Sequence, residues 1–220
     1  MALSDKIALK IASELNLDQE KSDVIAYGAF AFIQIVLSLL FVIIFGFIFE
    51  ILFEAITISF VSSILRKYSG GVHASKPSIC IIVGTVMTIG IALLMCFISS
   101  YSNELANIII GFVSFIWSYY IILKYAPVDS KAKPINTILK RKRLKKKSLI
   151  VLLVYFIIAI LLIYTFYLTN NRVFLTYSMC IYGGLVWQVF NLTIIGHKVL
   201  NKFDALLVVI LFKKKGVLLK

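Results

Sequence analysis

Long apolar segments alternate with short polar segments along most of the chain. From Val24 to Leu65 the sequence is apolar except for Glu50, Glu54 and a few small polar side chains. A membrane-spanning helix needs about 20 apolar residues, so this stretch is long enough for two such helices, and further apolar segments follow. The pattern therefore predicts six transmembrane helices, at residues 24–48, 50–66, 79–100, 104–124, 148–169 and 173–196.

The sequence on either side of these segments is amphipathic or basic. Leu3, Ile7, Ile11 and Leu15 recur at helical spacing among charged residues, which is typical of a helix that lies on a membrane surface. Near the other end, the apolar segment 205–212 is too short to cross a bilayer. We expect it to pack at the interface or against the core.

These patterns predict an all-α polytopic membrane protein with about six transmembrane helices. The composition agrees, because 61% of the residues are hydrophobic and only 15% are charged, whereas a soluble domain is about half apolar and a quarter charged. We expect a single integral membrane domain over residues 1–220. It would comprise an amphipathic interfacial helix at 1–23, a six-span bundle at 24–196 and a basic cytoplasmic tail at 197–220.

The basic residues predict the orientation of these spans. Ten Lys and Arg side chains fall in residues 124–147 and six more in residues 198–220, whereas the predicted connections on the other side hold only Arg172. Because cytoplasmic loops carry the excess of Lys and Arg, both termini and the loops at 66–78 and 124–147 are expected in the cytoplasm. The basic run at 140–147 would also attract anionic membrane lipid.

A short polar segment between the second and third predicted spans contains the candidate chemistry. It reads Arg66-Lys-Tyr-Ser-Gly-Gly-Val-His-Ala-Ser-Lys-Pro-Ser-Ile-Cys80. Gly70 and Gly71 permit backbone angles that are closed to other residues. Pro77 is suited to the first position of the next helix, with Ser75 or Lys76 near its cap. The helix is therefore expected to break within this segment.

This break would allow His73 and Cys80 to act together. On an unbroken helix, residues seven positions apart are separated by about 10.5 Å along the axis, which is too far for a hydrogen bond. In the first turn of the third span, free N–H groups and Lys76 would favour a thiolate at Cys80 and could bind an oxyanion, with His73 taking the thiol proton. A Gly-Gly turn before a Pro helix start is also common between spans. The residue types alone are therefore equally compatible with a turn that has no catalytic role.

Two parts of the sequence resemble the AgrB family of quorum-sensing, peptide-processing membrane endopeptidases. The first is the run Arg66, Gly70, Gly71, His73 and Ala74, followed by Cys80, and the second is the phrase from Tyr125 to Ile135 with Pro127, Asp129, Lys133 and Pro134. The length, the span pattern, the amphipathic N-terminal segment and the lysine-rich loop also agree. The resemblance therefore covers nearly the whole chain.

The resemblance implies a cysteine endopeptidase in which His73 and Cys80 are the catalytic pair and Arg66 and Gly71 contribute to activity. Such an enzyme removes the C-terminal tail of an AgrD-like signal propeptide through an acyl-enzyme thioester. It then promotes closure of a thiolactone or lactone ring. We further expect a homodimer in the cell membrane of a Gram-positive bacterium, with the active site at the cytoplasmic face and with neither metal nor cofactor. Residues expected to bind substrate or shape the site are Arg66, Gly70, Gly71, Ser75, Lys76, Pro77 and Asp129.

Several polar positions have alternative interpretations. Asp129 could orient His73 from the second cytoplasmic loop, but a polar turn residue after Pro127 is the simpler interpretation. The polar side chains within the spans should face the bundle interior and hydrogen-bond across helices, where they could line a peptide path. They are Gln34, Gln188 and Asn191. Cys96 and Cys180 are expected to be small buried hydrophobic residues.

Two other classes of function are compatible with a small membrane protein. In a transporter or peptide exporter the polar residues would line a path, although the spans hold few ionisable side chains and no inverted repeat is apparent. In a non-catalytic scaffold, His73 and Cys80 could be replaced without loss. A metalloprotease is disfavoured because the chain has only two histidines and no HExxH motif, and no sequence motif supports nucleic-acid binding.

Overall fold

The computed structural model describes residues 19–71, 77–129, 135 and 137–212. Within these ranges the chain forms seven helices and no strand beyond one isolated bridge. The helices are α1 (Gln19–Ile48), α2 (Leu52–Ser69), α3 (Pro77–Tyr101), α4 (Glu104–Tyr125), α5 (Ile138–Thr169), α6 (Val173–Phe190) and α7 (Ile194–Phe212). The predicted all-α class is confirmed for these residues. Most of the predicted amphipathic N-terminal helix and the end of the basic tail lie outside the described ranges.

The chain divides into two compact units within α1, between Phe41 and Val42. The described part of the first unit is a helical segment whose side chains include the exposed Phe32 and Ile35. The second unit contains the rest of α1 and the six following helices. All residues of the candidate site belong to this second unit.

Four of the described helices, α3, α4, α5 and α6, are long and apolar enough to cross a membrane. The predicted spans 24–48 and 50–66 correspond to α1, whose apolar part is Phe32–Ile48, and to α2. Helix α2 has 18 residues and carries Glu54, Arg66 and Lys67. The polytopic all-α fold is thus confirmed, whereas the count of six spans stays a prediction.

Helix α5 begins ten residues before the predicted span, at Ile138 instead of residue 148. The Thr137 side chain accepts a hydrogen bond from the Lys140 backbone N–H at 3.3 Å and so caps the helix. Lys and Arg are good helix formers, so the basic run continues the helix and is not a loop. A helix of 32 residues is about 48 Å long against a hydrocarbon core of about 30 Å, which leaves room for the basic turns beyond the core.

The last predicted span, 173–196, ends earlier than expected, because α6 stops at Phe190. The backbone N–H groups of Leu192 and Thr193 each donate to the carbonyl three residues back, at 3.0 Å. These tight turns end α6, and Gly196 already belongs to α7. The segment 205–212, predicted as a separate apolar piece, is the second half of α7.

Helix α6 lies at the centre of the second unit, where it contacts α2, α3, α4 and α5. Its residues Met179, Tyr182, Leu185 and Val189 are all buried in one apolar cluster. A helix that is apolar on all sides and buried in this way is typical of the core of a bundle. Residues on α6 are therefore placed to contact several other helices at once.

Buried polar side chains join α6 to α4 at one end of the bundle. The Asn107 side-chain amide donates to the Leu175 carbonyl at 3.1 Å, and the Ser178 hydroxyl donates to the Asn107 side-chain oxygen at 2.9 Å. Asn107 is fully buried. Such hydrogen bonds between helices add about 0.6 kcal/mol on average, and up to about 1.7 kcal/mol, in membrane proteins.

Replacing Asn107 with leucine is expected to destabilise the bundle by about 1–2 kcal/mol, because the Leu175 carbonyl and the Ser178 hydroxyl lose their shared partner. The measurement is reversible unfolding in mixed detergent micelles, compared with the wild-type protein. Ser100→Ala is the matched control, since the exposed Ser100 hydroxyl donates only to the Cys96 carbonyl in its own helix. Equal stability of Asn107→Leu and the wild-type protein would contradict the expected contribution.

Candidate functional site

The candidate site begins where α2 ends in two glycines. The Gly70 backbone N–H donates to the Arg66 carbonyl at 2.9 Å and closes the last turn of the helix. Gly70 has φ 75° and Gly71 has φ 144°, values that L-residues with a side chain rarely adopt. The predicted break at the glycine pair is therefore present.

The connection between α4 and α5 holds this glycine turn from one side. The Val128 backbone N–H donates to the Ser69 carbonyl at 2.9 Å, and Gly70 and Val128 form the isolated bridge. A methyl group on Gly70 would collide with the Val128 carbonyl oxygen and would lie 3.1 Å from its carbonyl carbon. Glycine is thus required at position 70 both by the backbone angles and by the close approach of a second chain segment.

Helix α6 holds the turn from the bundle interior through Gln188. The side-chain amide nitrogen of Gln188 donates to the Ser69 hydroxyl at 3.0 Å and to the Gly70 carbonyl at 2.9 Å. The side chain is only 1% exposed. The prediction that Gln188 faces the interior and hydrogen-bonds across helices is confirmed. Its polar character within an apolar span was the only sequence signal, and that signal did not identify its partners.

Cys80 lies close to the guanidinium of Arg66. Helix α3 begins at Pro77, as predicted, which places the partly exposed Cys80 in its first turn. The Arg66 guanidinium is within electrostatic range of the Cys80 side chain, and a guanidinium stays protonated in proteins. The end of α2 and the start of α3 thus bring a cation and a thiol near each other.

A space of about the size of a methyl group lies beside Gly71 at the centre of this group. A methyl group built on Gly71 would lie 3.7 Å from the guanidinium carbon of Arg66 and 3.7 Å from the side-chain nitrogen of Gln188. The residue itself is buried. Arg66 and Gln188 therefore flank Gly71 from two helices, with Cys80 beside Arg66. This arrangement can hold a negatively charged group next to a nucleophile.

Other predicted site residues are placed differently or are not described. His73, Ser75 and Lys76 lie outside the described residues, so the geometry of the Cys–His pair stays a prediction. Asp129 is exposed, and its carboxylate accepts a hydrogen bond from the Ile135 backbone N–H at 3.1 Å. This contact of Asp129 is made within its own loop, and a role in orienting His73 stays a prediction.

The other two cysteines are part of the packing of the bundle. Cys180 is fully buried in an apolar cluster, and the partly exposed Cys96 packs against that cluster. In the ranges that the structure describes, no three His, Cys, Asp or Glu side chains lie close enough to hold a metal ion. Of the described cysteines, Cys80 is thus the one that combines partial exposure, a helix start and a neighbouring cation.

Comparison with known proteins identifies the family of this chain. The family model of accessory gene regulator B (AgrB) matches residues 4–192. Two proteins described as AgrB-like, from two strains of Clostridium perfringens, are each 40% identical over 205 residues, which cover 92% of this chain and 95% of the relative. No solved structure matches the chain. The chain is therefore a membrane protein that belongs to the accessory gene regulator B family.

Proposed function

We propose that this chain is a membrane cysteine endopeptidase that removes the C-terminal tail of an AgrD-like signal propeptide and promotes its cyclisation. Membership of the AgrB family supports a role in processing the accessory gene regulator autoinducer. The observation that carries the finer proposal is the position of Cys80, in the first turn of α3 and within electrostatic range of Arg66. A nucleophile, a cation and a helix start together suit acyl transfer.

In the first step, the Cys80 sulfur attacks a backbone carbonyl of the propeptide while His73 takes the thiol proton. The carbonyl oxygen becomes an oxyanion, which the Arg66 guanidinium and the free N–H groups of the first α3 turn stabilise. The carbon–nitrogen bond then breaks. His73 donates its proton to the departing amine of the C-terminal tail, and the remaining peptide is held as a thioester on Cys80.

In the second step, a thiol or hydroxyl within the bound peptide attacks this thioester carbonyl. The sulfur of Cys80 leaves and regains a proton, and a thiolactone or lactone ring is formed. Exchange of one thioester for another conserves most of the bond free energy, so ring closure needs no nucleoside triphosphate. Water must be kept from the thioester, and a partly buried glycine turn at a membrane surface is suited to that requirement.

Contacts at the end of α2 support a cytoplasmic location for this site. The Lys147 ammonium on α5 lies 5.5 Å from the centroid of the Tyr68 ring on α2, within the range of a cation–π contact. The basic first turns of α5 therefore lie at the same end of the bundle as Arg66. By the positive-inside rule this end faces the cytoplasm, where the basic run would also attract anionic lipid. A homodimer in the cell membrane of a Gram-positive bacterium completes the proposal.

The test is intact-protein mass spectrometry of the purified protein in lipid nanodiscs, mixed with a candidate propeptide encoded beside its gene. We expect a covalent adduct whose mass equals the propeptide without its C-terminal tail, and peptide mapping should locate it on Cys80. The adduct should be absent from Cys80→Ala and unchanged in Cys96→Ala. A tail released without any adduct, or an adduct on another residue, would overturn the proposed mechanism. Transport of the propeptide without cleavage would favour an exporter.

A further inference from the structure

Gln188 is buried in the bundle interior, yet it contacts the turn that leads to the candidate site. It lies on α6, 119 residues away in sequence from Ser69, and is 1% exposed. Placing an uncharged amide in such an environment is unfavourable unless its hydrogen bonds are made. Both hydrogens of the Gln188 amide are used, one by the Ser69 hydroxyl and the other by the Gly70 carbonyl. Both donor hydrogen bonds of the Gln188 amide are therefore made to the glycine turn at the end of α2.

The glycine turn needs such an external partner because its own backbone is weakly constrained. The last carbonyl groups of a helix have no partner within the helix. At the end of α2, the Ser69 carbonyl accepts from the Val128 N–H and the Gly70 carbonyl accepts from Gln188. Gly70 and Gly71 have access to many other backbone angles, because glycine has no side chain to restrict them. Without the Gln188 bond, the Gly70 carbonyl would lose its hydrogen bond to the bundle interior, and only the Val128 side of the turn would stay held.

Rotation at Gly70 would change the relative positions of the groups around Gly71. Arg66 and Gln188 both lie beside the space at Gly71, and Arg66 interacts with the Cys80 thiol. The chain reaches Cys80 nine residues after Gly71. Gln188 makes none of its hydrogen bonds to Cys80, so any effect on the thiol has to act through the turn.

We infer that Gln188 is a positioning residue for the chemistry of Cys80. Gln188, on the core helix α6, holds the Gly70 carbonyl in place. The Gly70 carbonyl in turn determines how Gly71 and Arg66 are placed beside the Cys80 thiol. This inference rests on the proposed function for its effect on cleavage. Its effect on the reactivity of the Cys80 thiol can be measured without any propeptide.

The test compares Gln188→Leu with Asn107→Leu, which removes an equally buried amide that bonds across helices far from the site. Each protein is studied in nanodiscs after correction for the folded fraction. The first readout is the rate of Cys80 alkylation by iodoacetamide, resolved from Cys96 and Cys180 by peptide mapping. We expect this rate to fall at least about five-fold in Gln188→Leu and to change less than about two-fold in Asn107→Leu.

The second readout is steady-state cleavage of the propeptide. We expect kcat to fall about 10- to 100-fold in Gln188→Leu with KM within about three-fold of wild type, since misplacement of reacting groups by about 1 Å costs up to about 100-fold. Asn107→Leu should keep kcat. A loss of kcat in both variants alike would show a purely structural role and would overturn the inference.

Gln188→Glu provides a variant of nearly the same shape. An ionised carboxylate cannot donate to the Gly70 carbonyl, whereas its protonated form can donate one hydrogen bond. We expect its alkylation rate, divided by that of wild type at the same pH, to rise as the pH is lowered. A ratio that is independent of pH and close to one would contradict the inference. Altered thiol reactivity in Gln188→Leu with no cleavage by wild type would support the positioning role and reject the proposed function.

Discussion

Replacement of Cys80 by alanine is expected to reduce propeptide cleavage by at least about a thousand-fold, the scale on which loss of a covalent nucleophile acts in other hydrolases. The thioester intermediate cannot form without the sulfur, and no other described cysteine lies at the site. Binding of the propeptide should change far less, because the Cys80 side chain forms its bond only as the reaction proceeds. The measurement is release of the C-terminal tail by purified protein in nanodiscs, followed by chromatography.

Cys80→Ser and Cys96→Ala complete this experiment. Serine keeps the shape of the side chain but supplies a much weaker nucleophile at neutral pH, so Cys80→Ser should also lose nearly all cleavage. Cys96→Ala removes a thiol from the same helix, in a partly exposed position packed against an apolar cluster, and should cleave within about two-fold of wild type once the folded fraction is matched. Cleavage by Cys80→Ala at more than a tenth of the wild-type rate would reject Cys80 as the nucleophile.

The sequence predicted the parts of the fold that depend on local signals. The bend at Gly70 and the helix start at Pro77 follow from the backbone angles that glycine and proline allow, and both are present. The long apolar segments could also be predicted as helices, because their length and apolarity are local properties of the sequence. Local chemistry was thus sufficient to place Cys80 in the first turn of α3.

Contacts between distant segments could not be predicted in the same way. The polar character of Gln188 indicated an interior position, but the pattern within one helix does not reveal that its partners are Ser69 and Gly70. Nor does any local signal place Val128 against Gly70. These contacts depend on how α2, α6 and the α4–α5 connection pack, which periodicity alone leaves undetermined.

The start of α5 shows a different limit. A run of Lys and Arg suits a cytoplasmic loop by its charge and a helix by its intrinsic propensity. Charge therefore predicts a segment outside the membrane core, but it does not decide the secondary structure of that segment. The Thr137 hydroxyl, which accepts a hydrogen bond from the Lys140 N–H at 3.3 Å, is the local signal that favours the helix. The long apolar segment that follows packs against the rest of the bundle.

Gly70→Ala is expected to impair both folding and cleavage, because position 70 combines unusual backbone angles with a close contact. At φ 75° and ψ −156° the backbone lies in a region that is nearly restricted to glycine, and a side chain there costs about 1–3 kcal/mol. The added methyl would also meet the Val128 carbonyl, so the bridge that holds the turn must open. We expect a lower unfolding temperature and a fall in kcat of at least about 10-fold in the protein that remains folded.

Gly90→Ala is the matched control for this substitution. Gly90 lies within α3, and a methyl built there has nothing within 4 Å. Alanine is favoured over glycine in a helix by about 0.5–1 kcal/mol, so Gly90→Ala should be as stable as wild type or slightly more stable, with unchanged cleavage. The measurements are thermal unfolding and tail release on the same nanodisc preparations. If Gly70→Ala and Gly90→Ala behave alike, the glycine turn does not position the reacting groups. If only Gly70→Ala loses kcat at a matched folded fraction, the turn geometry is part of the catalytic arrangement.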